Sequence, residues 1–594
     1  MLSFSWNIVM FPSSMWLCVL LALPLPRSSY QSCTVGTPRQ CLDAEFAPGA
    51  NLAGEGFDIT KMKRVGAFVV NMNEWKRKDK TCTLCSNPFM ESRRQKLPLS
   101  VVDWRAQQSC SSQVASKLYK SSEALVSSVT SLVENNWKVG LDLRVGHKGA
   151  SLMLAGTNSK LSEYSMEKTK NDKYSFTSHG ASCEYYSYRV SNTPKLHQEF
   201  RKAVKQLPKK YSAENKQAFY KLIENFGTHY ITKVKLGGSV RSVTSIQQCE
   251  ASLQGLSGEE VQSCLAMEAS ASLKVTVNVE TKHCKKDIQK TGSKSDFSSV
   301  FSDRLTEIKG GHTTEPDLLF SARKEPSAYK DWLKTVPQHP DIVSYSLDSL
   351  HELLPANTSE WHNLRSAIGH YILERGLWRN CTDPCATGRR SDPRDPCVCR
   401  CHGNAAANTD CCPTQRGLAE VKITVQHASG LWGDILSATD GYVKVFVNKM
   451  PPRISPVIHN NNNPHWGFLV DLGLQDLSMV SNVRFEVWDK DYWWEGWDDD
   501  LLGSCSQVLS AGAKPDVCYF SHGKLFFKWE VRCAPGLGGK SCRDYVPSPM
   551  SQSMKKLYVS RHARPIPDAM LSEMGVFVDK ASWWGKKMQG YDAK

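Results

Sequence analysis

Two groups of aspartates in the last third of the chain have the residue types and spacing of a divalent-cation site. Asp434 and Asp440 form the first group, and Asp489, Asp491 and the run 498–500 form the second. Calcium takes about six to eight hard oxygen ligands, several of them carboxylate. The two groups therefore predict a calcium site, with a solvated acidic loop as the alternative.

Aromatic residues crowd the same two stretches: Trp432, Tyr492, Trp493, Trp494 and Trp497. Aromatic rings favour the bilayer interface, where one end of the side chain is apolar and the other is wet. We therefore expect these rings to bind a membrane. The alternative is a hydrophobic cluster that braces the longer loop.

Short strand patterns separated by turns surround the aspartates: Val421–Gln426, Tyr442–Val447, Val483–Trp488 and Lys524–Val531. They predict an eight-stranded antiparallel sandwich, and residues 417–533 resemble a C2 domain. That resemblance implies Ca²⁺ as cofactor and a phospholipid membrane as partner. It also implies a ligand set, although the spacing from Asp491 to Asp500 is longer than in most C2 domains. The implied ligands are Asp434, Asp440, Asp489, Asp491 and Asp500, with Asp499 as a substitute or an extra ligand.

Length and charge set the context for this module. A chain of 594 residues should form about three or four domains, and its net charge of +15 favours an acidic partner. The apolar run Met15–Leu23 predicts a signal peptide over residues 1–29, although no basic residue precedes Arg27. A secretory route argues against nucleic acid as the partner.

The cysteines fit this route. Cys18 lies in the predicted signal peptide, which leaves 20 of the 21 cysteines and predicts a disulfide-rich protein. Cys82 and Cys85 should be crosslinked to the cysteines at 33 and 41, with a redox or zinc site as the alternative. Seven cysteines between residues 381 and 412 resemble an EGF-like module, with a zinc site as the alternative. The seventh predicts a bond outside the module, for which Cys249 is the candidate.

A glycine-rich stretch, Asn225–Gly238, reads NFGTHYITKVKLGG. Gly227 suits a tight helix-to-strand turn, and a glycine pair within a strand indicates a kink or bulge. The stretch resembles the signature of the membrane-attack-complex/perforin superfamily, aromatic-Gly-Thr-His-aromatic-x6-Gly-Gly. A lone strand with a glycine bulge is the alternative. The signature and hinge residues are Gly227, Thr228, His229, Tyr230, Gly237 and Gly238.

Two polar segments flank the signature, Ala155–Lys173 and Lys285–Lys309. The resemblance implies that they are helix clusters that unfurl into β-hairpins and enter the bilayer. A lipid-spanning strand needs about 9–11 residues, and only a closed barrel satisfies its backbone, so a ring of copies is required. Solvated helices packed on a sheet are the alternative. The resemblance also implies that Lys221 and Asp348 pair between subunits; two solvated charges are the alternative.

Two local patterns predict secondary structure around the second polar segment. Strict alternation over Ser270–Cys284 predicts a long half-buried strand. Phe297, Phe301, Leu305 and Ile308 fall on one helical face, which predicts a helix that ends at the glycines after residue 309.

The fold class is therefore α+β multidomain: a bent, twisted antiparallel sheet flanked by helix clusters, a small disulfide-rich EGF-like module and an all-β C2 sandwich. The expected domains are a pore-forming domain at 30–376, the module at 377–414, the C2 domain at 415–535 and a basic tail at 536–594. The tail could be a removable pro-segment, a membrane contact or a disordered end.

The resemblances imply a calcium-dependent cytolytic protein that binds target membranes, forms a homo-oligomeric ring and inserts a transmembrane β-barrel. They imply secretion, with storage in cytolytic granules. The alternatives are a complement-like immune pore component and a non-lytic calcium-dependent membrane-binding protein. A calcium-dependent lipid enzyme is disfavoured, because the chain has no Gly-x-Ser-x-Gly or His-Glu-x-x-His motif.

Overall fold

The computed structural model describes residues 33–143, 151–273, 284, 297–321, 325–379, 381, 384–385, 387–393, 395–433, 437–448, 450–479, 482–491, 498–556, 561–578 and 583–586. Several residues singled out above lie outside this set, namely the predicted signal peptide, residues 274–283, residues 285–296 of the second polar segment, Asp434, Tyr492, Trp493, Trp494 and Trp497.

The described residues between 33 and 379 are built around one large antiparallel sheet. The strands of this region are β1 Cys33–Gly36, β2 Glu55–Asp58, β3 Lys63–Phe68, β4 Cys82–Asn87, β5 Arg93–Leu97, β6 Val101–Cys110, β7 Ala115–Tyr119, β8 Ser151–Met153, β9 Tyr174–Val190, β10 His229–Gln247, β11 Arg304–Lys309, β12 Asp341–Ser349 and β13 Leu377–Arg379. Strands β1, β4 and β5 form a small sheet of their own. The strands β3, β2, β10, β9 and β6 pair in that order, while β7 adds to β9, and β11 and β12 add to β10. The long strands β9 and β10 form the centre of the sheet.

Helices cover this sheet. They are α1 Pro38–Asp43, α2 Ser122–Ser127, α3 Lys160–Asn171, α4 Gln198–Lys205, α5 Lys216–Phe226, α6 Gln248–Leu253, α7 Gly258–Leu273, α8 Phe297–Val300, α9 Ala328–Thr335 and α10 Ser359–Glu374. The hydroxyls of Ser159 and Thr358 cap the N-termini of α3 and α10. Helix α5 buries Phe219, Leu222 and Ile223, which lie three or four residues apart and so share one face. This face holds α5 in the core immediately before the signature.

The two local predictions around the second polar segment are partly wrong. Residues 270–273, predicted to begin a strand, end helix α7, and residues 304–309, predicted to be helical, form β11. The reason is tertiary, since β11 pairs with β10 from Ser239↔Lys309 to Thr244↔Arg304 and gains a ladder of backbone hydrogen bonds. Of residues 297–309, which were predicted to be helical, only Phe297–Val300 form a helical turn.

Disulfides confirm the cysteine predictions. The strands β14 Arg389–Arg390 and β15 Cys399–Arg400 form a small hairpin inside the module. The bond Cys249–Cys412 joins this module to α6, as expected for its seventh cysteine. The other bonds are Cys33–Cys85, Cys41–Cys82, Cys110–Cys183, Cys264–Cys284, Cys381–Cys397, Cys385–Cys399, Cys401–Cys411, Cys505–Cys518 and Cys533–Cys542.

The predicted eight-stranded sandwich is confirmed. Its strands are β16 Leu418–Ser429, β17 Gly441–Val447, β18 Arg453–Ile454, β19 His465–Asp476, β20 Asn482–Asp489, β21 Asp500–Val508, β22 Gly512–Phe520 and β23 Gly523–Cys533. One sheet has the order β19-β16-β23-β22 and the other β18-β17-β20-β21. Alternate residues such as Val443, Phe485 and Phe527 fill the space between the two sheets.

The tail, whose state the sequence left open, packs back onto the rest of the protein. It contains β24 Leu537–Gly538, β25 Asp544–Tyr545, α11 Gln552–Lys556, β26 Ala563–Pro565 and α12 Asp568–Glu573. Strand β26 pairs with β13, which also pairs with β8. Ile566, Leu571 and Val576 are buried in the same core as the central sheet.

No helix in the described part of the chain is long and apolar enough to cross a membrane.

Candidate functional site

The glycine pair of the signature lies where β10 changes its partner. From His229 to Gly237, β10 pairs with β12, and from Ser239 onward it pairs with β11. On its other edge β10 pairs with β9 from Lys233 to Gln247, on both sides of the glycine pair, but the register shifts between Leu236 and Gly237. This shift confirms the bulge that the sequence predicted at the pair.

Side chains cannot be added at this point without moving the backbone or the buried Trp332 ring. An ideal Cβ on Gly237 would lie 1.9 Å from the carbonyl oxygen of Cys183, and one on Gly238 would lie 2.7 Å from Cζ2 of Trp332. A second pair, Gly310 and Gly311, completes the arrangement, because a Cβ on Gly310 would lie 2.2 Å from the Gly237 oxygen. We call these four glycines the glycine joint.

Trp332 closes the glycine joint from one side. Its ring is buried, and its Nε1–H donates to the Gly310 oxygen at 2.9 Å. The sequence interpretation treated Gly310 and Gly311 as a helix stop and did not single out Trp332 as a functional residue. In the sequence, the second Gly-Gly pair was the signal for Gly310 and Gly311, but the helical pattern before it obscured that signal.

The first half of the signature fixes the start of β10. Gly227 has φ +88°, and a Cβ there would lie 2.5 Å from the backbone nitrogen of Phe57. The Thr228 N–H donates to the Phe57 oxygen at 3.0 Å, and its Oγ1 accepts from the Ile59 N–H at 3.1 Å. The turn therefore ties α5, β10 and β2 together.

His229 is a buried structural residue. Its Nε2 bonds the carbonyl oxygen of Trp137 at 2.8 Å, and its Nδ1 lies 2.8 Å from the Thr228 hydroxyl. Because a carbonyl only accepts, Nε2 carries the proton and Nδ1 accepts from the hydroxyl. Burial lowers the pKa of His229 to about 4, so the ring is neutral near pH 7. Tyr230, also buried, lies opposite Asp348 on β12.

The structure places the two residues expected at a subunit interface on different elements. Lys221 is exposed on α5. Asp348 is half-buried on β12, with the Asn135 amide 3.5 Å from its Oδ1, and burial raises the pKa of this carboxyl.

Five of the six aspartates expected to bind calcium lie at one end of a single sheet of the sandwich. Gly441, Asp489 and Asp500 are direct register partners on β17, β20 and β21. The Asp440 N–H donates to Asp489 Oδ1 at 2.7 Å, which brings the two acidic groups together. We call Asp440, Asp489, Asp491, Asp499 and Asp500 the acidic edge.

The acidic edge presents carboxylate oxygens, the type of ligand that calcium prefers. Asp489 is 2% exposed, and Gly433 packs against it so closely that a Cβ would lie 1.8 Å from Oδ2. The Asp440 carboxylate accepts from the Asn460 N–H at 2.7 Å and contacts His459 Nδ1 at 2.9 Å. Within the described residues, no group of three or more His, Cys, Asp or Glu could hold a metal ion, and Asp434 lies outside them.

Asp499 is engaged by its own chain. Its Oδ2 accepts from the Tyr442 hydroxyl at 2.5 Å, and its Oδ1 lies 3.4 Å from Lys490 Nζ. Burial alone would raise its pKa, but these contacts lower the pKa below the ordinary value. Asp499 therefore suits a supporting role, and the exposed Asp500 beside it matches the implied ligand better.

A tryptophan lies at the rim of the same end. Trp432 is 55% exposed and stacks on His522 with ring centroids 5.3 Å apart. The His522 Nδ1 donates to the Trp432 carbonyl oxygen at 2.8 Å. Leu501, beside Asp500, is also 50% exposed. The sequence interpretation missed His522 and Leu501, because one aromatic contact and one apolar strand residue give no distinctive pattern.

Comparison with known proteins decides the family. The MAC/Perforin domain matches residues 46–380, the Perforin-1-like EGF domain matches 380–414, and the C2 domain matches 419–519. Perforin-1 of Homo sapiens is 40% identical over 508 residues, which cover 85% of this chain and 91% of that protein.

The chain belongs to the MAC/Perforin family.

Other members of the MAC/Perforin family show the range of similarity. Perforin-1 of Mus musculus is 37% identical, over 89% of this chain and 96% of that protein. The complement component C8 alpha chain of Oryctolagus cuniculus is 22% identical, over 61% of this chain and 66% of that protein. The C2 match at residues 419–519 accords with a perforin-like member.

Proposed function

We infer that the chain is a pore-forming cytolytic protein that binds membranes in a calcium-dependent manner. The observation that supports this best is the order of three modules along one chain: the MAC/Perforin domain, the Perforin-1-like EGF domain and the C2 domain. A pore former needs no covalent chemistry, so the protein is not an enzyme.

Docking belongs to the acidic edge. Asp434, Asp440, Asp489, Asp491 and Asp500 would hold Ca²⁺, with Asp499 supporting Asp491 through the N–H bond to its Oδ1 at 3.3 Å. Bound calcium would supply positive charge where carboxylates otherwise repel anionic headgroups. The rings then enter the interface, namely Trp432, Tyr492, Trp493, Trp494 and Trp497.

Insertion belongs to the central sheet. Strands β9 and β10 pair continuously from Gly237 to Gln247. Strand β9 follows α3 of the first polar segment, and β10 leads into α6, which begins the connection to the second polar segment, Lys285–Lys309. Straightened helices would therefore extend strands that already exist. Gly237 and Gly238 act as the hinge, because the sheet exchanges β12 for β11 there. A closed barrel needs strands from many copies, so the partner is a second copy of this chain.

Assembly uses Lys221 of one subunit and Asp348 of the next. Lys221 is exposed, and the Asp348 carboxylate has only one amide contact within its own subunit among the hydrogen bonds of the described residues. A salt bridge between subunits would favour the charged form of this half-buried carboxyl.

The expected domain limits remain our proposal: a signal peptide at 1–29, the pore-forming domain at 30–376, the EGF-like module at 377–414, the C2 domain at 415–535 and the tail at 536–594. The protein is secreted and acts on target-cell membranes after storage in cytolytic granules. Ten disulfides, of which Cys249–Cys412 joins the first two folded domains, suit that oxidising route.

Dye release from anionic liposomes, with and without calcium, tests the function. We expect binding and leakage with calcium, and neither when calcium is chelated. Binding without leakage would instead support the non-lytic membrane-binding alternative. Leakage that is unchanged after chelation would contradict the docking role of the acidic edge.

A further inference from the structure

Asp172 is a buried carboxylate at the end of the first polar segment. It is 1% exposed and forms the C-cap of α3, two residues before β9 begins. A buried charge is costly unless hydrogen bonds satisfy it. Its partners therefore show what this position stabilises.

Three donors from two distant parts of the chain satisfy Asp172. Gln247, the last residue of β10, donates from Nε2 to Oδ2 at 2.7 Å. The Tyr545 hydroxyl donates to the same oxygen, and the Ser548 N–H donates to Oδ1 at 2.8 Å. Asp172 thus joins the end of α3 to the start of α6 and to the tail.

Neighbouring contacts strengthen the same junction. The backbone carbonyl of Lys173 accepts from the Gln248 N–H at 2.9 Å. The Lys173 side chain donates from Nζ to the backbone oxygen of Asp410 in the EGF-like module. The Lys170 carbonyl accepts from the Met550 N–H at 2.9 Å. The disulfide Cys249–Cys412 anchors α6 to the module close by. Both helical regions that leave the central sheet are therefore held at one place.

The tail residues that reach Asp172 follow the sandwich directly. Tyr545 lies in β25, which pairs with β24, and Leu537 of β24 is buried in the core of the sandwich. A movement of the sandwich on docking would therefore be transmitted to Asp172 through β24 and β25.

We propose that Asp172, with Gln247, Tyr545 and Ser548, is a latch that keeps α3 and α6 helical until the sandwich docks. The role of the latch in pore formation rests on the proposed function. Its stabilising effect on α3 and α6 in the unbound protein does not. An Asn at 172 would keep the shape but turn an N–H toward at least one donor, so the latch would open more easily.

Hydrogen exchange of the full-length protein in calcium-free solution tests the latch without any membrane. In Asp172→Asn we expect exchange in α3 and α6 to rise about tenfold together, with α10 unchanged. Tyr545→Phe removes only one of the three bonds to Asp172, so it should raise exchange less at the same helices. Asp331→Asn on α9 and Tyr519→Phe on the sandwich surface are the matched controls and should change nothing.

Unchanged exchange in Asp172→Asn, or a rise in α3 without α6, would overturn the latch. If Asp172→Asn does not fold, Tyr545→Phe tests the same two helices, and unchanged exchange there would overturn the latch equally. In liposome assays both variants should shorten the lag between binding and dye release several-fold at equal binding. An equal or longer lag would also overturn the latch, whereas absence of leakage from the wild-type protein would count against the proposed function alone.

Discussion

The glycine joint and the acidic edge both lie where strands end or change partners, but they are built in opposite ways. At the glycine joint, backbone packs on backbone with no space for a Cβ, and Trp332 seals the contact. At the acidic edge, carboxylates lie at one end of a sandwich, where β17, β20 and β21 remain paired up to Gly441, Asp489 and Asp500. The first site suits a change of packing, and the second suits uptake of a ligand on a rigid frame.

This difference predicts which changes each region tolerates. Substitutions that add atoms should damage the glycine joint, whereas a change of charge there should have no effect. Substitutions that keep the shape but remove a charge should damage the acidic edge. Docking and leakage should therefore be separable by mutation.

The largest expected effect is loss of leakage in Gly237→Ala. The new Cβ would meet the Cys183 carbonyl oxygen at 1.9 Å, and overpacking of this kind costs about 1–3 kcal/mol. We expect dye release to fall by more than about tenfold at unchanged calcium-dependent binding. Gly369→Ala in α10 is the control, because its Cβ would have its nearest neighbour at 3.8 Å. Normal leakage from Gly237→Ala would show that the joint is not the hinge.

The next effect is loss of docking in Asp489→Asn. Removal of one charge from the buried end of the acidic edge should weaken calcium-dependent liposome binding by about tenfold or more, since bonds to charged groups contribute about 1.5–3 kcal/mol. Sedimentation with liposomes over a calcium titration measures this. Asp471→Asn, which removes a surface pair with Lys422 in the same sandwich, should bind normally. Equal binding by both variants would show that Asp489 is not a calcium ligand.

A fall in pH should affect the central sheet and the sandwich differently, with a smaller effect than the two substitutions above. Burial lowers the pKa of His229 and of His179 to about 4, from an ordinary value of 6.5. The unfolded chain then takes up protons first, so stability present above pH 6.5 is lost as the pH falls toward 4, by up to about 3 kcal/mol for each ring. In the described part of the sandwich no histidine is fully buried.

Hydrogen exchange at pH 7 and pH 5 checks this expectation. Peptides from β10 should lose protection at the lower pH, while peptides from β20 should change less. His229→Gln should flatten the pH dependence of β10 even where it lowers stability at pH 7. A slope equal to that of the wild-type protein would show that His229 does not cause it.

We expect the smallest effect for each contact at the proposed interface between subunits. A surface ion pair contributes about 0–1 kcal/mol, but a ring repeats it at every contact. Lys221→Glu should reduce ring formation on liposomes, seen by electron microscopy, without changing monomer docking. Adding Asp348→Lys should restore rings by reversing the pair. Normal rings from Lys221→Glu alone would remove this contact from the interface.

Local sequence determined much of this protein. Alternation and turns were enough for the sandwich, because each strand there buries every second side chain. The glycine pair at 237 and 238 predicted a bulge, and the spacing of aspartates predicted one acidic end. These features depend on residues close together in the chain, where backbone geometry and side-chain periodicity act directly.

Tertiary structure decided the rest. The helical pattern of Leu305 and Ile308 gave way to strand β11, because pairing with β10 satisfies its backbone. Gly310 joins Gly237 only through that pairing, and Asp172 meets Tyr545 across 373 positions of sequence. Contacts between distant segments depend on how elements pack, and no local pattern records them.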